Sequence, residues 1–144
     1  MAKLQAPVAF VARFLLALIF LAEGWSKLGN YGGAVQYMES HSVPGLLLPL
    51  VILTELGGGL LIVCGFQARL AALALSGFCT LTALLFHADL TDLNELIHFN
   101  KDIAIAGGFL VLVAFGAGGW SLDALQARRA ATLSSPSDAL EPQG

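Results

Sequence analysis

Four long apolar runs alternate with short polar breaks along this chain. The first, Pro7–Leu28, reads PVAFVARFLLALIFLAEGWSKL. As a helix it would measure about 33 Å, enough to cross a bilayer core of about 30 Å. The turn-rich stretch Leu28-Gly29-Asn30-Tyr31-Gly32-Gly33 ends it. Ala34–His41, AVQYMESH, has Val35 and Met38 on one side and polar residues on the other. That pattern predicts a short helix at the membrane interface or folded over the bundle mouth. A second span follows over about Leu46–Gly65, with Pro49 in its first turn, where a missing N–H costs little. Gly65–Arg69 is long enough only for a tight connection to a third span, about Leu70–His87. A polar turn with Asp89 and Asp92 leads to a fourth, about Asn94–Gly116, and Gly116-Ala117-Gly118-Gly119-Trp120 closes it. The expected fold is an all-α membrane protein: a four-transmembrane-helix bundle with a short interfacial helix between helices 1 and 2. Residues 1–125 form the membrane domain, and 126–144, polar and rich in Ser, Pro and Ala, read as a disordered cytoplasmic tail.

Composition agrees with that pattern. The chain is 57% hydrophobic and 12% charged, against about 25% charged residues in soluble domains. Its net charge of −3 argues against nucleic acid as a partner. Cys64 and Cys79 form no C-x-x-C, so neither a thioredoxin-like pair nor a zinc site is expected, and both read as core residues. Arg13 interrupts what would be a signal-peptide core, and Ala22-Glu23-Gly24 is a poor cleavage site, so the first helix is expected to be retained. With four spans both termini share a side. That side carries Lys3, Arg69, Arg128 and Arg129, against Lys27 and Lys101 opposite, a bias that predicts both termini in the cytoplasm.

The charges inside the spans carry the chemistry. An arginine as deep as Arg13 should face protein or water and have a partner. Glu23 and Lys27 are spaced i, i+4 and can pair on one helix face. Glu55 falls about 14 Å below the outer end of its helix, Arg13 about 9 Å above the inner end of span one, and Lys101 about 10 Å into span four. Depth alone therefore lets Glu55 be shared between Arg13 and Lys101. Glu23, Lys27, His87, His98 and Asp102 fall in the outer half, so a polar pocket that opens outward and narrows to Glu55 is expected. Each group also has a plainer reading: snorkelling for Glu23 and Lys27, helix register for Glu55 with Arg13 or Lys101, and an interfacial pair rather than a metal site for His98 and Asp102. The glycines Gly57-Gly58-Gly59 read as packing positions, with Ala104, Gly107 and Gly108 in span four.

VARFLLALIFLAEGWSKLGNYGGAVQYMESHSVPG, LPLVILTELGGGLLIVCGFQARLAALAL and FHADL…FNKDIAIAGGFLVL resemble, in order, the four helices of the DoxX family. The resemblance covers about Val8–Ala124. It implies four transmembrane helices in the bacterial inner membrane and an association with quinone-linked oxidation, sometimes with a second subunit. The family's polar positions map onto Arg13, Lys27, Glu55, Arg69, His87 and Lys101.

Two classes of function stay open. In the first, the chain is a redox-associated subunit that binds a quinone or small reductant, with a partner redox subunit or a second copy of itself. Glu55 is then the candidate proton shuttle, Lys101 and Arg13 hold it ionised, Lys27 lines the pocket and His87 hydrogen-bonds a carbonyl. In the second, the chain is a non-catalytic membrane anchor or small-solute carrier, and the charges serve structure. A haem between His87 and His98 is the weaker variant of the first class, resting only on histidine as a common iron ligand.

Overall fold

The computed structural model describes residues 2–134. Six α-helices follow one another: α1 Ala2–Gly29, α2 Tyr31–Ser40, α3 Leu48–Cys64, α4 Ala68–Phe86, α5 Leu93–Phe115 and α6 Leu122–Ser134, with a single 3-10 turn at Gly45–Leu47 before α3. Segments of α1, α4 and α5, and α3 with its 3-10 turn, are long and apolar enough to cross a membrane. The expected four-span bundle is therefore present, and α2 fits the short interfacial helix.

The helices start and stop for local reasons. Asn30 caps α2, its side-chain oxygen accepting from the Gly33 amide. Pro49 sits in the first turn of α3. Gly65 ends α3 in the left-handed conformation (φ 66°). It is also where Arg13 of α1 and Ser121, just before α6, crowd the α3–α4 turn, since a Cβ there would overlap Arg13 Nη1 and Ser121 Cβ. Any side chain at Gly65 would thus meet both a strained backbone and a steric clash. Asp92 caps α5 by accepting from the amides of Asn94 and Glu95.

α1 packs along α3 and α4 along α5, while α3 and α4 touch more lightly and α1 barely meets α5. Helices in lipid gain no hydrophobic drive from pairing, so close contact through small residues carries the association. Gly24 of α1 shows it: an added Cβ would lie 2.8 Å from Leu56 Cγ and 3.2 Å from Glu55 Cβ. The expected packing glycines divide accordingly. Gly59 abuts Leu21, Gly58 abuts Leu75 and Gly108 abuts Leu16, whereas Gly107 meets nothing within 4 Å. Ala17, Phe20, Ile62, Leu75, Cys79, Phe109 and Leu112 build the central core, and Ser76 Oγ ties α4 to α5 by donating to the Ala106 carbonyl. Cys79 is buried as expected, but Cys64 is exposed. A second cluster of Met38, Leu48 and Ile52 fixes α2 across one end of the bundle.

Two boundaries differ from expectation. α1 begins five residues earlier, with Pro7 inside it. Residues 126–134, expected as part of a disordered tail, continue α6; 135–144 lie outside the described residues. LDALQARRAAT is rich in good helix formers, and Asp123 stands in the first turn. The polar composition that suggests disorder is equally that of an exposed helix.

Candidate functional site

The buried charges do not pair as their depths suggest. Glu55, 4% exposed, takes its ion pair from Lys27, whose Nζ lies 2.9 Å from Glu55 Oε1. The same Nζ lies 3.3 Å from Glu23 Oε2, so Lys27 bridges an exposed carboxylate on its own helix to a buried one on α3. Arg13 and Lys101 are both elsewhere. Arg13, 1% exposed, donates through Nη1 to the carbonyls of Ile62 (3.1 Å) and Val63 (3.5 Å), and through Nη2 to that of Trp120. Its guanidinium also lies 5.8 Å from the Phe10 ring centroid. Lys101 Nζ donates to His98 Nδ1 at 2.9 Å.

Side-chain direction explains the correction. A helical side chain leans toward the N-terminus of its own helix. In α1 that lean carries Lys27 inward along the bundle toward Glu55, and it carries Arg13 away from Glu55 to the far end. In the antiparallel α3 it carries Glu55 toward Lys27. In α5 it carries Lys101 back toward His98. Depth of the Cα atoms alone misses all four.

At the α2 end the four spanning helices and α2 line a half-open cavity of about 760 Å³. Its lining is mostly apolar, with Phe20, Phe78, Cys79 and Phe86 among the walls. Polar side chains enter from two directions: Glu23, Lys27 and Glu55 from α1 and α3, and His87, Glu95, His98, Lys101 and Asp102 from the α4–α5 side. Of the residues expected at a site, Lys27, Glu55, His87 and Lys101 thus border one cavity, and Arg13 does not. Arg69 lies at the opposite end of α4.

The second polar group is knit together. His87 Nδ1 lies 2.6 Å from Glu95 Oε2, its Nε2 lies 4.0 Å from Asp102 Oδ2, and its ring stacks on His98 at 5.0 Å and 20°. Parallel rings this close leave no room for a macrocycle between them. These residues do not fit a bis-histidine haem. Among the described residues no cluster of His, Cys, Asp and Glu is arranged to hold a metal ion.

Across the mouth, Tyr37 of α2 stacks on Phe86 (5.5 Å, 10°), and His41 packs on both rings. Burial, helped by the carboxylates of Glu95 and Asp102, pushes the Tyr37 hydroxyl above its ordinary range. Glu95 and Tyr37 also line the cavity, and reading the sequence missed both. Asp92-x-x-Glu95 has the spacing of a helix-start capping box, and Tyr37 stands i, i+4 from His41; either pattern points to the mouth.

One atom of this site has no partner of its own. Glu55 Oε2 is buried and accepts no hydrogen bond among the described residues. Arg13 Nε is likewise without one, but the two Nη atoms of that guanidinium are bonded to carbonyls.

The DoxX family pattern matches residues 8–88. The inner membrane protein YqjF of Escherichia coli (strain K12) is 46% identical over 125 residues, covering 87% of this chain and 96% of the relative. The inner membrane protein YphA of the same organism is 36% identical over 121 residues, covering 78% of this chain and 86% of the relative. No solved structure matches the chain.

Proposed function

The chain belongs to the DoxX family, and from that premise we propose that it is an inner-membrane, redox-associated subunit that holds a quinone in the cavity at the α2 end. The observation that carries this reading is Glu55 Oε2, a buried carboxylate oxygen with no hydrogen-bond partner among the described residues, on a residue that lines the cavity. A bound group with a hydroxyl or carbonyl head would complete it, directly or through its proton.

The residues present fit such a head group. Phe20, Phe78 and Phe86 offer flat apolar walls for a ring and an apolar tail. A quinone, when bound, supplies two-electron, two-proton chemistry. Glu55 exchanges a proton at Oε2, while Lys27 Nζ fixes its other oxygen and so its orientation. His87, oriented by Glu95 through Nδ1, presents Nε2 as the second polar contact. Arg69, Arg128 and Arg129 at the α6 end support an orientation with both termini in the cytoplasm and the cavity toward the outer side. The electron donor belongs to a partner subunit.

The test is the lipid content of the purified protein. Extraction and mass spectrometry of protein taken from its own membranes in mild detergent should find near-stoichiometric quinone in the wild type and background levels in Glu55→Gln. If the wild type carries no more quinone than an unrelated four-helix membrane protein prepared alike, the reading fails. A non-catalytic anchor or carrier then stands in its place.

A further inference from the structure

The opposite end of the bundle has a basic surface that the proposed function does not use. A hollow of about 410 Å³ lies between the first turn of α4 and the α5–α6 link, lined by Gln67, Arg69, Gly116, Gly118, Ser121 and Asp123 among others. The guanidinium of Arg69 lies over Gly116, where an added Cβ would come within 3.3 Å of its Nε. Arg128 reaches the same link from α6, 3.7 Å from where a Cβ of Gly119 would stand. Arg69, Arg128 and Arg129 are exposed, and no carboxylate among the described residues lies within ion-pair distance of them. Asp123, the acidic residue in the lining, has both oxygens occupied by the amides of Gln67 and Ala68.

α6 adds an exposed apolar stripe: Leu122, Leu125 and Leu133 are exposed and share one helical face, with Arg129 among them. Trp120, 61% exposed, stands just before the helix, where membrane–water interfaces collect tryptophan. The helix is held at that height by three ties. Asp123 caps α4, the Asp123 amide donates to the Gly65 carbonyl (2.9 Å), and Arg13 holds the Trp120 carbonyl. An exposed leucine stripe on α6, Trp120 beside it, and Arg69, Arg128 and Arg129 without an ion pair among the described residues match one kind of surface.

We infer that the α6 end binds the headgroup of an anionic phospholipid, with Arg69 and Arg128 on its phosphate, Arg129 on the neighbouring surface charge, and α6 lying along the leaflet. The leucines enter the acyl boundary and the arginines remain at phosphate level. The inference is independent of what occupies the cavity at the α2 end.

The experiment is native mass spectrometry of the full chain from mixed micelles with equal phosphatidylglycerol and phosphatidylcholine. The wild type should retain phosphatidylglycerol preferentially, and Arg69→Gln, Arg128→Gln and Arg129→Gln should each reduce that preference by about fivefold, as expected for one basic group near a charged surface. The triple Arg→Lys variant keeps the charge and should keep most of the preference, which separates recognition from misfolding. Inorganic phosphate at 10-fold excess over lipid should displace nothing. Equal retention of the two lipids by the wild type, undiminished preference in the triple Arg→Gln variant, or displacement of the lipid by inorganic phosphate would overturn the inference; the last would assign the arginines to a free anion.

Discussion

At the α6 end Arg13 spends its donors on the backbone: two carbonyls at the end of α3 and one just before α6 receive its Nη atoms. At the α2 end Glu55, nearly as buried and on the cavity lining, is held by one oxygen only, and the other has no partner among the described residues. Both groups are costly to place in a membrane. The first is consumed in joining three segments distant in sequence. The second retains a free acceptor. The difference suggests a division of labour, in which one buried charge serves the fold and the other serves a ligand.

The largest stability effect should come from breaking the first region. Arg13→Met removes the guanidinium donor from the carbonyls of Val63 and Trp120 and the second donor from that of Ile62, and should cost about 3 kcal/mol, read as loss of folded protein in detergent unfolding curves. Quinone per folded molecule should be unchanged. Gly24→Val, at the α1–α3 contact next to Glu55, should cost about 1–3 kcal/mol by overpacking Leu56. Unlike Arg13→Met, it should also lower quinone content, because it shifts the helix that carries Lys27. Asp123→Ala removes the cap of α4 and should cost about 1 kcal/mol in the same unfolding assay. Glu55→Gln should be smallest, within about 1 kcal/mol, because Lys27 is partly exposed and keeps Glu23 as a partner.

How far each region could be read from sequence follows the same line. The four spans and α2 were legible because hydropathy and turn residues such as Gly65 and Asn30 report directly on helix length and ends. Burial of Glu55 was legible from its position in an apolar run. Its partner was not, because Cα depth favours Arg13 and Lys101, while the lean of each side chain toward its own helix's N-terminus brings Lys27 and Glu55 together and carries the other two away. Arg13 was expected to seek an acid, yet helix ends offer unpaired carbonyls, which serve a buried guanidinium equally well. α6 was missed since a surface helix and a polar tail share a composition, and only its docking through Asp123 distinguishes them.

The most direct test of the division of labour is the shift in melting temperature that a short-tailed quinone gives in lipid nanodiscs, measured on wild type and Glu55→Gln together. The account predicts a clear upward shift for the wild type, no shift for the variant, and ligand-free melting temperatures within a few degrees of each other. An equal shift in both proteins, or a ligand-free variant as unstable as Arg13→Met, would contradict it.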